Sequence, residues 1–217
     1  MSTRVKICGL KTEEALSAAL EARADMVGFV FFPASPRCVE IAHAAALAEF
    51  ATGMAGVVAL TVDADDVLLD RIVAEVKPHL LQLHGGETPE RVAAVRARYD
   101  IAVMKAIAVE TVDDAQRALA YRDVADLILF DAKAPTGSAI PGGNGIAFDW
   151  RLLDGVKHQV PFMLSGGLTP DNVGDAIRTT GAKVVDVSSG VERAPGVKDP
   201  DKIRVFMRAV KSTGFAR

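Results

Sequence analysis

Eight short apolar runs, separated by stretches with a helical hydrophobic period, limit the folds open to this chain. The runs are rich in Val, Ile, Leu and Phe and lie at 5–8, 26–32, 56–62, 80–83, 101–107, 127–130, 161–164 and 184–187. Several are continuously apolar rather than alternating, which marks strands buried on both faces, as in a parallel sheet.

The stretches between them carry helical signatures. Ala15, Leu16, Ala19 and Leu20 share one helical face, as do Leu69, Ile72, Val73 and Val76. The same holds for Val173, Ala176, Ile177 and Thr180, and for Ile203, Phe206, Met207 and Val210. Thr88-Pro89, Thr169-Pro170 and Asp199-Pro200 each set a capping side chain before a proline at the first helical position. Thr12 precedes Glu13 and Glu14, which suit the positive end of a helix dipole. Gly181 stands where the helix over 173–180 stops.

Eight strands in strict alternation with eight helices predict an α/β protein with a single domain over 1–217, closed as a (β/α)8 or TIM barrel. An open doubly wound sheet uses the same units but usually has fewer strands. No linker or composition shift divides the chain. A net charge of −3 with scattered basic residues lacks the electrostatic footprint of nucleic-acid binding. No apolar run approaches the roughly 20 residues of a membrane helix, and no secretory h-region opens the sequence. The two cysteines, Cys8 and Cys38, form no CxxC and fit a reducing compartment. The expectation is a cytoplasmic protein with neither nucleic-acid nor membrane partners. No interface can be read, so monomer and homodimer both remain open.

A barrel does its chemistry where strands end and βα loops begin. The first strand ends at Cys8, which can act as a base only as thiolate or can simply pack. After the second strand, Pro33 and Pro36 stiffen the loop carrying Arg37. Its guanidinium fork suits a carboxylate or phosphate, unless it is only an exposed turn residue. Cys38 beside it has no evident partner and reads as structural. Gln82 and His84 alternate with leucines on the fourth strand and so face the lumen or mouth, where polar groups must be paired or used. Lys105 on the fifth strand is either a site residue or a lysine snorkelling at the strand edge.

Asp131 follows four apolar residues, where desolvation would suit it to general-acid work. Its bland alternatives are pairing with Lys133 or capping its own loop. The loop 134–147, with two prolines and four glycines, is long enough to be a mobile cover. Strand seven ends in Ser165-Gly166-Gly167 and strand eight in Ser188-Ser189-Gly190. Loops at these two strand ends often hold phosphate in barrels, and small residues expose the N–H groups that do so. Asp186, two residues before Ser188, shares its side of the strand and can bind substrate hydroxyls or form an interior ion pair. A phosphate anchor, an acid and a base, with no metal-ligand spacing and no nucleotide motif, suit a cofactor-free isomerase acting on a phosphorylated small molecule.

The segments Val5-Lys6-Ile7-Cys8-Gly9, Gly28-Phe29-Val30-Phe31, Ser35-Pro36-Arg37, Leu81-Gln82-Leu83-His84-Gly85 and Phe130-Asp131-Ala132-Lys133 resemble the phosphoribosylanthranilate isomerase family. So do Phe148-Asp149-Trp150, Leu164-Ser165-Gly166-Gly167-Leu168 and the stretch from Val185 to Glu192. The match is collinear from the first strand to the last helix. The resemblance implies an Amadori rearrangement in tryptophan biosynthesis, with Asp131 as general acid and Cys8 as general base. It places Arg37 near the anthranilate carboxylate, Asp186 on substrate hydroxyls and His84 in support. Gly166, Gly167, Ser188, Ser189 and Gly190 would form the phosphate cradle. The third strand departs from the family, with Val57-Val58-Ala59-Leu60-Thr61-Val62-Asp63 where an aromatic residue and an asparagine are more usual. A related barrel isomerase of the histidine pathway carries aspartate at the end of strand one, where this chain has Cys8. A barrel that only binds sugar phosphate would need neither Cys8 nor Asp131.

Overall fold

The computed structural model describes residues 3–138 and 140–213; of the long loop 134–147, Ala139 lies outside them. Eight parallel strands close into a barrel in the order of the chain: β1 (Arg4–Cys8), β2 (Met26–Phe31), β3 (Gly56–Thr61), β4 (Leu80–Leu83), β5 (Ala102–Val109), β6 (Leu127–Ala132), β7 (Phe162–Leu164) and β8 (Val184–Val187). The last strand returns to the first, with Lys6 opposite Asp186 and Ile7 opposite Val187. Outside run α1 (Glu13–Glu21), α2 (Ile41–Phe50), α3 (Asp66–Val76), α4 (Pro89–Tyr99), α5 (Val112–Gln116), α6 (Val173–Thr180) and α7 (Pro200–Thr213).

The alternating strand pleat sorts the side chains into two sets. Val5, Ile7, Val27, Phe29, Val57, Ala59, Leu81 and Leu83 point outward and pack with the helices in the main core. Val58, Met104, Ala106, Leu129, Met163 and Val184 point inward and fill the barrel floor. Above that floor Cys8, Val30 and Leu60 form a smaller apolar cluster with Phe32 and Val62 at its edge. The lumen is therefore packed below by these side chains, with the smaller cluster nearer the ends of the strands.

Most local signals act as read. Thr12 accepts from the Ala15 N–H, Thr88 from Arg91, and Asp199 from Asp201 and Lys202. Gly181 caps α6 in the left-handed conformation. Thr169-Pro170 differs, because it opens a turn and α6 begins three residues later at Val173. The Asn172 side chain explains the delay. It accepts from the Thr169 N–H at 2.8 Å and donates to the Gly167 carbonyl at 2.9 Å, holding the turn open.

The expectation of eight full helices also needs correction. Among the described residues between β6 and β7 the only helical turn is a single 3-10 turn at Trp150–Leu153. The long Gly- and Pro-rich loop uses much of the chain there, and Leu153, Val156 and Val160 cover the barrel in place of a helix. A short antiparallel hairpin, β9 (Glu192–Ala194) with β10 (Val197–Lys198), follows β8 and turns at Gly196, which has φ 76°. Strands this short leave no readable period. Among the described residues no helix is long and apolar enough to cross a membrane.

Phe29 is fully buried between barrel and helices. Replacing it with alanine should cost about 3–5 kcal/mol of stability, read as a lowered denaturation midpoint with an unchanged slope in urea.

Candidate active site

A cleft opens at the ends of the strands. Nine of the ten residues to which the family resemblance gives a role line it: Cys8, Arg37, His84, Asp131, Gly166, Gly167, Asp186, Ser188 and Ser189. Gly190 lies just beyond the lining. A Cβ there would collide with the Leu168 carbonyl, so the glycine lets the loops after β7 and β8 touch.

On the β1 side, Cys8 and Lys6 share the inward face of one strand. Lys6 is fully buried and its Nζ donates to Asp186 Oδ1 at 2.8 Å. Ser165 Oγ donates to the other oxygen of Asp186 at 3.2 Å. Gly28, on the neighbouring strand, makes the space. A Cβ there would sit 3.1 Å from Cys8 Sγ and 3.2 Å from Lys6 Nζ. Burial pushes the Cys8 thiol up; Lys6 and Lys198 pull it down and Asp186 pushes it up, leaving it above its ordinary value. Burial pulls the Lys6 ammonium down, but Asp186 and Cys8 outweigh this and hold it above its ordinary value. Asp186 therefore makes an interior ion pair while also facing the cleft.

Asp131 stands inside β6 rather than after it. Its Oδ1 accepts from the Ala132 N–H at 2.9 Å. Its Oδ2 is 3.3 Å from His84 Nε2, and His84 Nδ1 is 2.8 Å from Gln82 Nε2. Gln82, His84 and Asp131 thus form a side-chain relay from β4 to β6. Lys133 takes no part, pairing instead with Glu110 at 2.7 Å. The loop after β6 reaches over this relay. A Cβ on Gly142 would lie 2.5 Å from Asp131 Oδ2 and 2.8 Å from His84 Nε2, so only bare backbone fits.

Lys105 corrects both of its readings. It is neither in the cleft nor at a strand edge, but buried in an ion pair with Glu87 at 2.8 Å, with further bonds to the carbonyls of Leu83 and Gly85. Cys38 is half-buried and bridges to Val30 through the backbone, as a structural residue would.

Arg37 is buried, not an exposed turn residue. It makes two parallel bonds to Glu192, at 2.8 and 2.9 Å, and a third to the Gly143 carbonyl at 3.0 Å. Lys198 binds the same Glu192 at 2.7 Å and reaches the Ser188 carbonyl at 3.0 Å and its hydroxyl at 3.1 Å. Burial alone would raise the Glu192 carboxyl, but Arg37 and Lys198 hold it below its ordinary value. Burial outweighs Glu192 at Lys198, whose ammonium lies below the usual lysine range. The sequence reading did not find Lys6, Glu192 or Lys198 as site residues. The alternation of Lys6 with Val5 and Ile7 was a signal for the first; the other two depend on a hairpin that leaves none.

Gly166 and Gly167 have φ of 85° and 60°, a conformation that L side chains rarely adopt. Their N–H groups, and those of Ser189 and Gly190, donate to no backbone or side-chain acceptor among the described residues. Four such donors on two adjacent loops are the kind of groups that can receive an anion. The Ser188 hydroxyl is already committed, donating to the Cys8 carbonyl at 3.1 Å, while Ser189 remains at the lining.

A family model described as N-(5'phosphoribosyl)anthranilate (PRA) isomerase matches residues 5–209. The chain is 58% identical over 213 residues to the N-(5'-phosphoribosyl)anthranilate isomerase of Rhodopseudomonas palustris strain BisA53, covering 98% of each chain. Its fold is similar to the crystal structure of phosphoribosyl anthranilate isomerase from Thermotoga maritima, with TM-score 0.88, 36% identity and coverage of 97% and 99%. Another phosphoribosyl anthranilate isomerase, solved in complex with reduced 1-(o-carboxyphenylamino)-1-deoxyribulose 5-phosphate, matches with TM-score 0.85, 34% identity and the same coverage.

Glu192 gives the site a pH signature. Its folded pKa lies below the unfolded one, so its contribution to stability is present above the ordinary glutamate value and lost as pH falls through the folded value. Glu192→Gln should cost about 3–5 kcal/mol at neutral pH, because it strands two buried cations. The variant should also lose less stability than the parent between pH 6 and pH 3 in denaturant titrations.

Proposed function

The chain belongs to the N-(5'-phosphoribosyl)anthranilate isomerase family, and on that premise we propose how its residues carry out the family's Amadori rearrangement. The protein is an isomerase of tryptophan biosynthesis that converts N-(5-phosphoribosyl)anthranilate into 1-(2-carboxyphenylamino)-1-deoxyribulose 5-phosphate. The observation that carries the residue roles is that Cys8 and Asp131 face one cleft from β1 and β6, with four free backbone donors beside them. Residues 1–217 are read as one catalytic domain, acting in the cytoplasm on a phosphorylated small molecule without a cofactor.

The phosphate sits on the N–H groups of Gly166, Gly167, Ser189 and Gly190, with Ser188 shaping the loop. The anthranilate ring lies against Cys8, Val30, Leu60, Phe32 and Val62, the apolar wall of the mouth. Arg37 stands at that side of the cleft to meet the ring carboxylate. Glu192 takes one edge of the guanidinium, so Arg37 is held rigid before substrate arrives.

Asp131 gives its proton to the furanose ring oxygen. The bond from that oxygen to carbon 1 breaks, and the nitrogen lone pair forms the iminium ion. Cys8 as thiolate removes the proton from carbon 2, and the released electron pair makes the enolamine and neutralises the nitrogen. The enolamine becomes the ketone as the carbon 2 hydroxyl loses its proton and carbon 1 gains one. His84 holds the Asp131 carboxyl and Gln82 holds His84. The loop carrying Gly142 and Gly143 keeps water from the iminium.

Decay of substrate fluorescence tests the roles directly. Cys8→Ala and Asp131→Asn should each lose about 10²–10⁴-fold in kcat, while folded parent protein turns substrate over rapidly. Parent-like decay in either variant would remove that residue from its role. Because burial holds the thiol up, kcat/KM should still be climbing from pH 7 to pH 8.5. A flat profile there would show that Cys8 is not the titrating base.

A further inference from the structure

The mechanism needs Cys8 as a thiolate, yet the burial around it opposes ionisation. Lys6, which the mechanism leaves without a task, lies two residues earlier on the same inward face and is fully buried. A lysine in the lumen is costly, and its neighbours on the floor are apolar. Its stem passes through the space left by Gly28, and its ammonium and the Cys8 sulfur both flank that glycine. Asp186 fixes the ammonium at 2.8 Å, and Ser165 fixes Asp186.

We propose that Lys6 is a positioning residue for the base: its ammonium, anchored by Asp186, stabilises the Cys8 thiolate that takes the carbon 2 proton. This rests on the reading of Cys8 as that base. The other charged groups around Cys8 do not replace it. Lys198, from β10, is engaged by Glu192 and Ser188. Arg37, whose stem packs on Gly9, is bound by Glu192. Asp186, from β8, opposes the thiolate, and Asp131 and His84 line the same cleft from β6 and the end of β4. Lys6 is thus the cation whose side chain runs beside the sulfur with a carboxylate dedicated to holding it.

The test follows the Cys8 thiol in a Cys38→Ser background, by the pH dependence of alkylation with iodoacetamide and by the pH profile of kcat/KM. Lys6→Met should raise the alkylation midpoint by about one unit or more. The acid limb of kcat/KM should move with it, so that activity at pH 7 falls tenfold or more and the deficit narrows as pH rises. Lys6→Arg should keep the parent midpoint. An unchanged midpoint in Lys6→Met, with activity lowered equally at every pH, would overturn the proposal and leave Cys8 as the base. Parent-like turnover in Cys8→Ala would overturn both. If Lys6→Met does not fold, Lys6→Met with Asp186→Asn removes both buried charges and alkylation alone is read. Its midpoint should still rise, and an unchanged or lower one would overturn the proposal.

Discussion

The barrel closes along the seam where β1 lies beside β8, and the site depends on that seam. Its register sets Lys6 opposite Asp186 and brings residues 180 positions apart in sequence into an ion pair. One residue of slip would turn Lys6 and Cys8 out toward the helices and Ile7 into the lumen. The pair thus marks the register chemically as well as sterically, because a misaligned seam would leave a buried charge unpaired. Ser188 adds a second tie by donating to the Cys8 carbonyl across the same seam.

From the seam the mouth divides into regions of different polarity. Cys8, Val30 and Leu60 make an apolar wall beside β1 to β3. The Gln82, His84 and Asp131 relay occupies β4 to β6. The loops after β7 and β8 carry N–H groups without an acceptor among the described residues. In the proposed reading, a substrate with an aromatic ring, a sugar and a phosphate would meet these three surfaces in order, which would orient it before any proton moves.

The hairpin of β9 and β10 ties these regions together. It carries Glu192 and Lys198 back beneath the mouth, where one carboxylate holds Arg37 and Lys198 and the latter holds Ser188. The loop after β6 joins the same assembly through the Gly143 carbonyl on Arg37 and the backbone of Gly142 on Asp131. This loop thus touches both Asp131 and Arg37, the residues proposed as acid and carboxylate binder.

The eight strands, the closed barrel and the residues at the strand ends were all legible in the sequence. Those features rest on local rules of apolar period, capping and the alternation of side chains along a strand. That Cys8, Asp131, Gly166, Gly167, Ser188 and Ser189 would meet at one cleft was legible because each lies at a strand end. The tertiary structure alone decided who pairs with whom. Lys105 could be given no place from its strand, since its partner Glu87 lies beyond a turn. Arg37 looked like a lone cation, because the carboxylate that holds it sits 155 residues away on a hairpin too short to show a period. Between β6 and β7 the described residues form no α-helix, and three buried side chains on a 3-10 turn and the turns after it cover the barrel there. Periodicity records which face of an element is buried, whereas the partner of a buried charge is set by closure of the barrel, which no local stretch of sequence encodes.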